Sequence, residues 1–217
     1  MQDRLTPYKS PRQKRSRESL ERLLESAEQQ IRANGFESLT IGGVVNNVGL
    51  SVGAFYARFP DKTALLHAVQ ERFHGKLEPK IRAEMIAEAG PMGTLTEAVE
   101  AAVDVLIRNV VGERELSRAF MTLSVTDPLL RAGGERINRE RRETFVQIMM
   151  AHSDEIGHED KELAVDVAYG IYAAIIRGRL VFGAEHELYY GIDSTTLYRE
   201  LKQAIAFYLK GGKTAPC

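Results

Sequence analysis

A very short helix between two chain breaks constrains the fold more than any other feature of this sequence. Residues 49–69 read GLSVGAFYARFPDKTALLHAV: a glycine turn, a few helix-forming residues, a proline, and then a long amphipathic stretch. Isolated helices shorter than about 12 residues are marginal in water. The short helix that begins at Val52 must therefore be held by neighbouring helices, and its outer face is presented to a partner.

The composition favours a globular protein of the cytoplasm. The chain has 217 residues, of which 44% are hydrophobic, and this is enough for a packed core. The only cysteine is Cys217, so a disulfide framework and a cysteine-rich metal site are excluded. The polar, basic beginning has no signal-peptide core, and no stretch reaches the roughly 18 apolar residues of a membrane span. We therefore expect an intracellular protein without a membrane partner.

The net charge of −1 hides an asymmetry along the chain. Residues 1–75 contain 11 Lys and Arg against 8 Asp and Glu, whereas the remainder is acidic on balance. A basic arm usually serves only solubility, but an arm beside the short-helix motif is also placed to contact nucleic acid phosphates. The basic residues of this arm are Arg12, Lys14, Arg15 and Arg17.

Apolar residues recur at helical spacing, and alternating strand patterns are essentially absent, which predicts an all-α fold. Pro79 is expected to end or kink the fourth helix, and Gly133-Gly134 to interrupt the seventh. A boundary inside the fourth helix divides the chain into predicted domains 1–75 and 76–217. The predicted helices span about 11 or 13 to 34, 41–48, 52 to 58 or 59, 62 onward, 94–111, 114–125, 127–152, 161–182 and 194–209.

The spacing from Thr40 to Lys62 predicts a helix-turn-helix, whose second helix enters the DNA major groove. Thr40 and Ser51 are placed to cap the two helices, and Gly49 makes the turn. Tyr56, which could also be a core aromatic, is suited to donate to a phosphate, and Arg58 to contact a phosphate or a guanine. The residues expected on the DNA side are Thr40, Ser51, Val52, Gly53, Ala54, Tyr56, Arg58 and Lys62. Phe59 is expected in the core.

The stretch GFESLTIGGVVNNVGLSVGAFYARFPDKTALLHAV resembles the DNA-binding domain of the TetR family of transcriptional regulators. The resemblance covers about residues 13–75 and includes the Thr, the short helix, the Tyr-x-x-Phe helix and the following Lys-x-x-Leu. It implies that Thr40, Ser51, Gly53, Ala54, Tyr56, Arg58 and Lys62 stand where that family meets DNA. Gly42 and Gly43 depart from the pattern, since helix formers are usual there, and each costs about 0.8 to 1 kcal/mol relative to alanine.

Two residue sets in the second half are candidates for function. The segment 161–182 is apolar nearly all round, so it must be covered on both sides, most simply by its own copy together with 194–209. The candidate dimer interface is Gly170, Ile171, Ala174, Ile175, Gly178, Leu197, Leu201, Ile205 and Tyr208. An aromatic and methionine set is either ordinary core or the lining of a ligand pocket: Phe120, Met121, Phe145, Met149, Tyr169 and Tyr172.

Together these features predict a homodimeric regulator that binds a palindromic operator in double-stranded DNA and responds to a small, largely apolar effector. The resemblance favours a repressor that the effector releases from its operator. We expect no cofactor, no metal and no catalytic residues, because no acid–base pair, metal-ligand set or phosphate-binding loop is recognisable. Two alternatives stay open: a ligand-independent architectural DNA-binding protein, which the absence of a cavity would favour, and a small all-helical enzyme.

Overall fold

The computed structural model describes residues 14–183, 186 and 191–211. These residues form helices and connecting turns, which confirms the predicted all-α fold. None of the helices in the described ranges is long and apolar enough to cross a membrane. The helices are α1 Lys14–Asn34, α2 Ile41–Asn47, α3 Val52–Tyr56, α4 Lys62–Ala89, α5 Leu95–Gly112, α6 Arg114–Leu123, α7 Pro128–Met150, α8 Lys161–Phe182 and α9 Ser194–Leu209, with a 3₁₀ turn at Ser153–Glu155.

Two expected helix ends are wrong, since the fourth helix does not end at Pro79 and α3 does not reach residue 58. α4 continues through Pro79 to Ala89, because an internal proline removes only one backbone hydrogen bond while Leu77 and Ile81 on either side of it stay buried. α3 is shorter than expected and ends at Tyr56. Pro60 follows shortly after, and a proline disfavours helical geometry in the residue before it.

α7 is also continuous, because Gly133 serves close packing rather than a break. A Cβ atom at Gly133 would lie 2.5 Å from Oε1 of Gln70 on α4. The same Gln70 side chain donates from Nε2 to the carbonyl oxygen of Leu130 at 2.9 Å. Next to it, Nε2 of His67 lies 2.7 Å from Oδ2 of Asp127, the residue that caps the start of α7. These contacts fasten the first turns of α7 to α4.

The chain divides into two compact units, the first formed by the sequence up to Lys76 together with Glu113–Gly134. Charged side chains tie α1 to the other helices of this unit. Arg72 donates to Glu21 at 2.9 Å and also to the buried Glu28. Arg32 donates to Glu28 at 3.2 Å and to Glu113 at 2.8 Å. α1 is therefore held in a fixed place against α4 and the start of α6.

The second unit contains Leu77–Gly112 and the chain from Glu135 onward. Its centre is α5, which buries residues on nearly all sides and packs against α8 and α9. The grouping of Glu113–Gly134 with the first unit was not expected from the sequence. The predicted functional domains, 1–75 and 76–217, stay a prediction.

Candidate nucleic-acid interface

The turn between α2 and α3 is built by two capping hydroxyls and one left-handed glycine. Oγ1 of Thr40 accepts from the amide of Gly43, and Oγ of Ser51 accepts from the amide of Ala54, both at 3.1 Å. Gly49 has a φ of +66°, a conformation that favours glycine. Both hydroxyls are on exposed residues and keep a hydrogen that can be donated to a partner.

α3 has only five residues, and a buried aromatic pair anchors it. Phe55 and Phe59 are fully buried with ring centroids 5.3 Å apart, so Phe59 is a core residue as predicted. Tyr56 stacks edge-on against Phe55 at 5.4 Å but remains 54% exposed. Burying one residue of the short helix fixes the direction in which its neighbours point.

The outer surface of α3 consists of small side chains and one phenol. Val52, Gly53, Ala54 and Tyr56 are all exposed. A Cβ atom at Gly53 would meet only Oγ of Ser51, at 3.8 Å, so the fold itself does not require glycine there. A surface of this kind lets a partner approach the helix backbone closely.

Arg58 is less exposed than these residues, and its predicted contact with DNA stays a prediction. Its side chain is half-buried, and Nη2 donates to Oγ of Ser16 on α1 at 3.0 Å. Nη1 is buried with no hydrogen bond within the described residues. Burial lowers the pKa of Arg58 from its ordinary value. The residue therefore ties the end of α3 to the start of α1.

Lys62 begins α4, as predicted, and is half-buried. Its Nζ lies 4.4 Å from the ring centroid of Phe36, a cation–π contact. Desolvation lowers the pKa of Lys62, and the nearby Glu37 opposes that change. Its contact with a phosphate stays a prediction.

The basic arm is only partly within the described residues. Arg12 lies outside them, and the side chains of Lys14 and Arg15 are not among those described. Arg17 is exposed on the first turn of α1. The DNA contacts expected for these four residues stay predictions.

Sequence reasoning missed the contacts by which α1 holds α2. Nη2 of Arg22 donates to the carbonyl of Val48 at 2.7 Å, and Oγ of Ser26 donates to the carbonyl of Val44 at 3.2 Å. A Cβ atom at Gly43 would lie 3.0 Å from Oε1 of Gln30, so this glycine permits the close approach of the two helices. The glycine at position 43, where helix-forming residues are usual, was the sequence signal for this close approach. No contact explains Gly42.

Most residues of the aromatic and methionine set are buried, as the first of the two open interpretations, ordinary core, implies; a role in lining a ligand pocket stays a prediction. Phe145 and Met149 are fully buried. Tyr169 packs between Phe145 and Tyr172, each ring centroid 5.7 Å away, and burial raises the pKa of Tyr169 to about 12. The two remaining candidates belong to the first unit, where Phe120 is buried and Met121 is half-buried.

A cavity of about 350 Å³ does exist in the second unit, at another place. It lies between α4 and α7, and its lining includes the apolar side chains of Ile81 and Met85. An ion pair also lines it, since Nε and Nη2 of Arg141 donate to the two carboxylate oxygens of Glu78 at 2.7 and 2.5 Å. The cavity therefore combines an apolar wall with a buried charged pair.

The candidate dimer residues divide into a surface group and a core group. Leu201 and Ile205 are buried within the single chain, where α9 packs on α5 and α8, so the chain already covers them without a second copy. The others are at least partly exposed: Gly170, Ile171, Ala174, Ile175, Gly178, Leu197 and Tyr208.

Comparisons with known proteins give one family and many similar folds. Residues 23–69 match the family model for bacterial regulatory proteins of the tetR family. No curated protein matches the chain. At the identities below 25% found among the solved structures, the likeness shows the fold.

Three solved structures illustrate this likeness. A TetR-family protein from Mesorhizobium loti MAFF303099 has a TM-score of 0.71 at 14% identity and covers 91% of this chain and 98% of its own. A transcriptional regulator from Rhodococcus sp. Rha1 has a TM-score of 0.65 at 20% identity, covering 91% and 100%. The fatty acid degradation regulator FadR from Bacillus halodurans has a TM-score of 0.60 at 15% identity, covering 87% and 94%.

Proposed function

We propose that this chain is a homodimeric repressor of the tetR type, which binds DNA through its N-terminal helices and which a small molecule releases from a palindromic operator; the match of residues 23–69 to the tetR-family model supports the DNA-binding part of this proposal. The observation that carries the proposal is α3. Phe55 fixes the helix in the core, while Val52, Gly53, Ala54 and Tyr56 form an exposed surface beside it.

Several groups around α3 can bind a DNA backbone. The hydroxyls of Thr40, Ser51 and Tyr56 are donors on exposed residues, and Arg17 is an exposed cation at the start of α1. Contacts to phosphates set the position of a protein on the duplex, whereas base edges set its sequence preference. The small residues of α3 allow the backbone to reach the base edges of the major groove.

An exposed apolar stripe on α8 supports the homodimer. Leu163 is 58% exposed and Val167 is 40% exposed, and Gly170 and Ala174 follow at the spacing that places residues on one helix face. Phe207 of α9 is also exposed. Apolar surface of this extent gains about 25 cal/mol per Å² on burial, and a second copy of the stripe is the simplest cover.

The cavity in the second unit supports control by a ligand. Its volume of about 350 Å³ lies within the range of about 300 to 1,000 Å³ that is typical of small-molecule sites. A purely architectural DNA-binding protein has no need for such a cavity. A ligand that binds one state of the regulator better than the other shifts the equilibrium toward that state.

DNA binding by the full-length chain tests the proposal, with two matched glycine variants. Gly53→Leu places a large side chain on the outer surface of α3, where the fold has room, and should abolish binding to a selected operator. The control is Gly75→Leu in α4, where a Cβ atom would meet nothing within 4 Å. Equal operator affinity of Gly53→Leu and the unmodified protein would contradict the proposal.

A further inference from the structure

The ion pair in the cavity wall is enclosed by protein. Only 14% of the Arg141 side chain and 8% of the Glu78 side chain are exposed. A buried ion pair contributes little net stability, because removing two charges from water offsets most of their attraction. In an ion pair of this kind beside a cavity, a ligand group of matching shape and charge can replace one of the two side chains; this replacement is called the exchange below.

Proton chemistry decides which partner can be replaced. A ligand cation in the place of Arg141 would leave a buried guanidinium that cannot lose its proton. A ligand carboxylate in the place of Glu78 would leave a carboxylate that can take up a proton and become neutral. Burial raises the pKa of Glu78 even though hydrogen bonds and charge from Arg141 act in the opposite direction. Replacement of Glu78 is thus the exchange that leaves no unpaired charge.

The charges around Glu78 are compatible with this exchange. The charged side chains that line the cavity are Glu78, Arg82, Glu140, Arg141 and Glu143, and Glu140 is also joined to Arg136 at 2.9 Å. With Glu78 neutral, the two arginines balance the two remaining glutamates, so a ligand carboxylate that replaces the Glu78 carboxylate leaves the total charge of the lining unchanged. The groups that face Glu78 from the neighbouring helices are Arg136, Glu140 and Arg141 of α7 and the phenols of Tyr169 and Tyr172 of α8.

We propose that this cavity binds a small monocarboxylic acid with an apolar body. The ligand carboxylate takes the place of Glu78 on the guanidinium of Arg141, and Glu78 takes up one proton from solvent. The apolar body lies against Ile81 and Met85. This inference rests on the proposed function, for which it names the chemical class of the effector.

The exchange gives binding a defined pH dependence. Because one proton is taken up with each ligand, affinity falls about tenfold for each unit of pH above the pKa of Glu78. Below that pKa the proton is already in place, and affinity no longer changes with pH until the ligand itself is protonated.

Calorimetry of the full-length protein tests this coupling. The probes are octanoate and phenylacetate, with 1-octanol and octylammonium as controls that keep the apolar body and change the head group. Titrations in two buffers of different ionisation enthalpy count the protons taken up. We expect at least one carboxylate to bind with uptake of one proton, and both controls to bind at least tenfold more weakly.

Two variants separate the exchange from simple binding. Glu78→Gln carries a neutral amide where the exchange needs a neutral acid, so it should keep carboxylate binding and lose both proton uptake and pH dependence. Arg141→Met should lose carboxylate binding, but it leaves Glu78 without its partner and could unfold the chain. The double variant Glu78→Gln/Arg141→Met removes both charges and should stay folded without binding.

The proposal is overturned if neither carboxylate binds at millimolar concentration, if octylammonium binds better than octanoate, or if binding takes up no proton at any pH at which the protein is folded. Operator affinity is measured separately with and without the carboxylate that binds. A carboxylate that binds as described but leaves operator affinity unchanged refutes release by this ligand and leaves the site intact. If another small molecule releases both the unmodified protein and the double variant from the operator equally well, the proposed function is supported and this cavity is refuted as the effector site.

Discussion

Replacing Arg58 by methionine tests whether this residue reads bases or holds α1 against α3. Nη2 of Arg58 donates to Oγ of Ser16 at 3.0 Å, and the side chain is half-buried. A hydrogen bond that involves a charged group contributes about 1.5 to 3 kcal/mol, and partial exposure to solvent reduces this to about 1 kcal/mol. We therefore expect Arg58→Met to lower the free energy of unfolding by about that amount, since methionine keeps the length of the side chain and removes its donors.

A double-mutant cycle with Ser16→Ala measures the contact itself. Urea unfolding of the two single variants and the double variant should give a coupling energy of about 0.5 to 1 kcal/mol, with unchanged m-values. DNA binding gives the second readout. If Arg58 positions α1, Arg58→Met should weaken binding to all operator variants alike, whereas loss of a base contact would relax preference at one base pair by about 1 to 3 kcal/mol.

The matched control is Arg118→Met, which removes a positive charge from an exposed position on α6 in the same unit. It should change neither the free energy of unfolding nor the sequence preference by a measurable amount. A coupling energy of zero between Arg58 and Ser16, combined with lost preference at a single base pair, would refute the positioning role.

Three further predictions concern stability and assembly. Gly43→Ala should lower the free energy of unfolding in urea by about 1 to 3 kcal/mol, because the added Cβ atom meets Thr40 and Gln30. Gly42→Ala should raise it by about 0.8 to 1 kcal/mol. The reverse order of the two variants would contradict the packing of α1 on α2. Burial alone would raise the pKa of Asp127, but hydrogen bonds from His67 and from two backbone amides outweigh it and hold this pKa below its usual value. The Asp127 carboxylate therefore stabilises the fold above its unfolded pKa of about 4, and this contribution is lost as pH falls through the lower folded pKa. Asp127→Asn should remove this part of the loss of stability at acidic pH. An unchanged dependence of stability on acidic pH would contradict the prediction. A Cβ atom at Gly170 would meet no atom within 4 Å in the single chain, so Gly170→Leu should shift sedimentation from dimer to monomer while the monomer stays folded; an unchanged dimer would exclude this face.

The sequence predicted local features of the fold well, because caps and helical periodicity act over a few residues. Thr40 and Ser51 cap α2 and α3 as expected, and α8 spans the residues that its apolar pattern indicated. The errors come from long-range packing. Gly133 looked like a helix break, but it makes room for Gln70, a residue far away in the sequence whose contact no local pattern reveals.

The same reason explains which site residues could be predicted. The exposed residues of α3 follow from the turn and the buried Phe55, both of which are local. The partner of Arg58 is 42 residues away, and the partner of Glu78 is 63 residues away. The sequence pattern could not show that Arg58 contacts Ser16 of α1, nor that a cavity lies between α4 and α7, because both features depend on contacts between helices that are distant in the sequence.

Selection of bound duplexes from a random DNA pool by the full-length protein tests the central claim most directly. The claim predicts enrichment of a palindrome whose half-sites are one helical turn, about 34 to 36 Å, or a multiple of it apart, because two copies of α3 are related by a two-fold axis. The same selection with Gly53→Leu should enrich nothing. Failure of the unmodified protein to enrich any sequence, or enrichment of a single asymmetric site, would contradict a homodimeric regulator that reads DNA through α3.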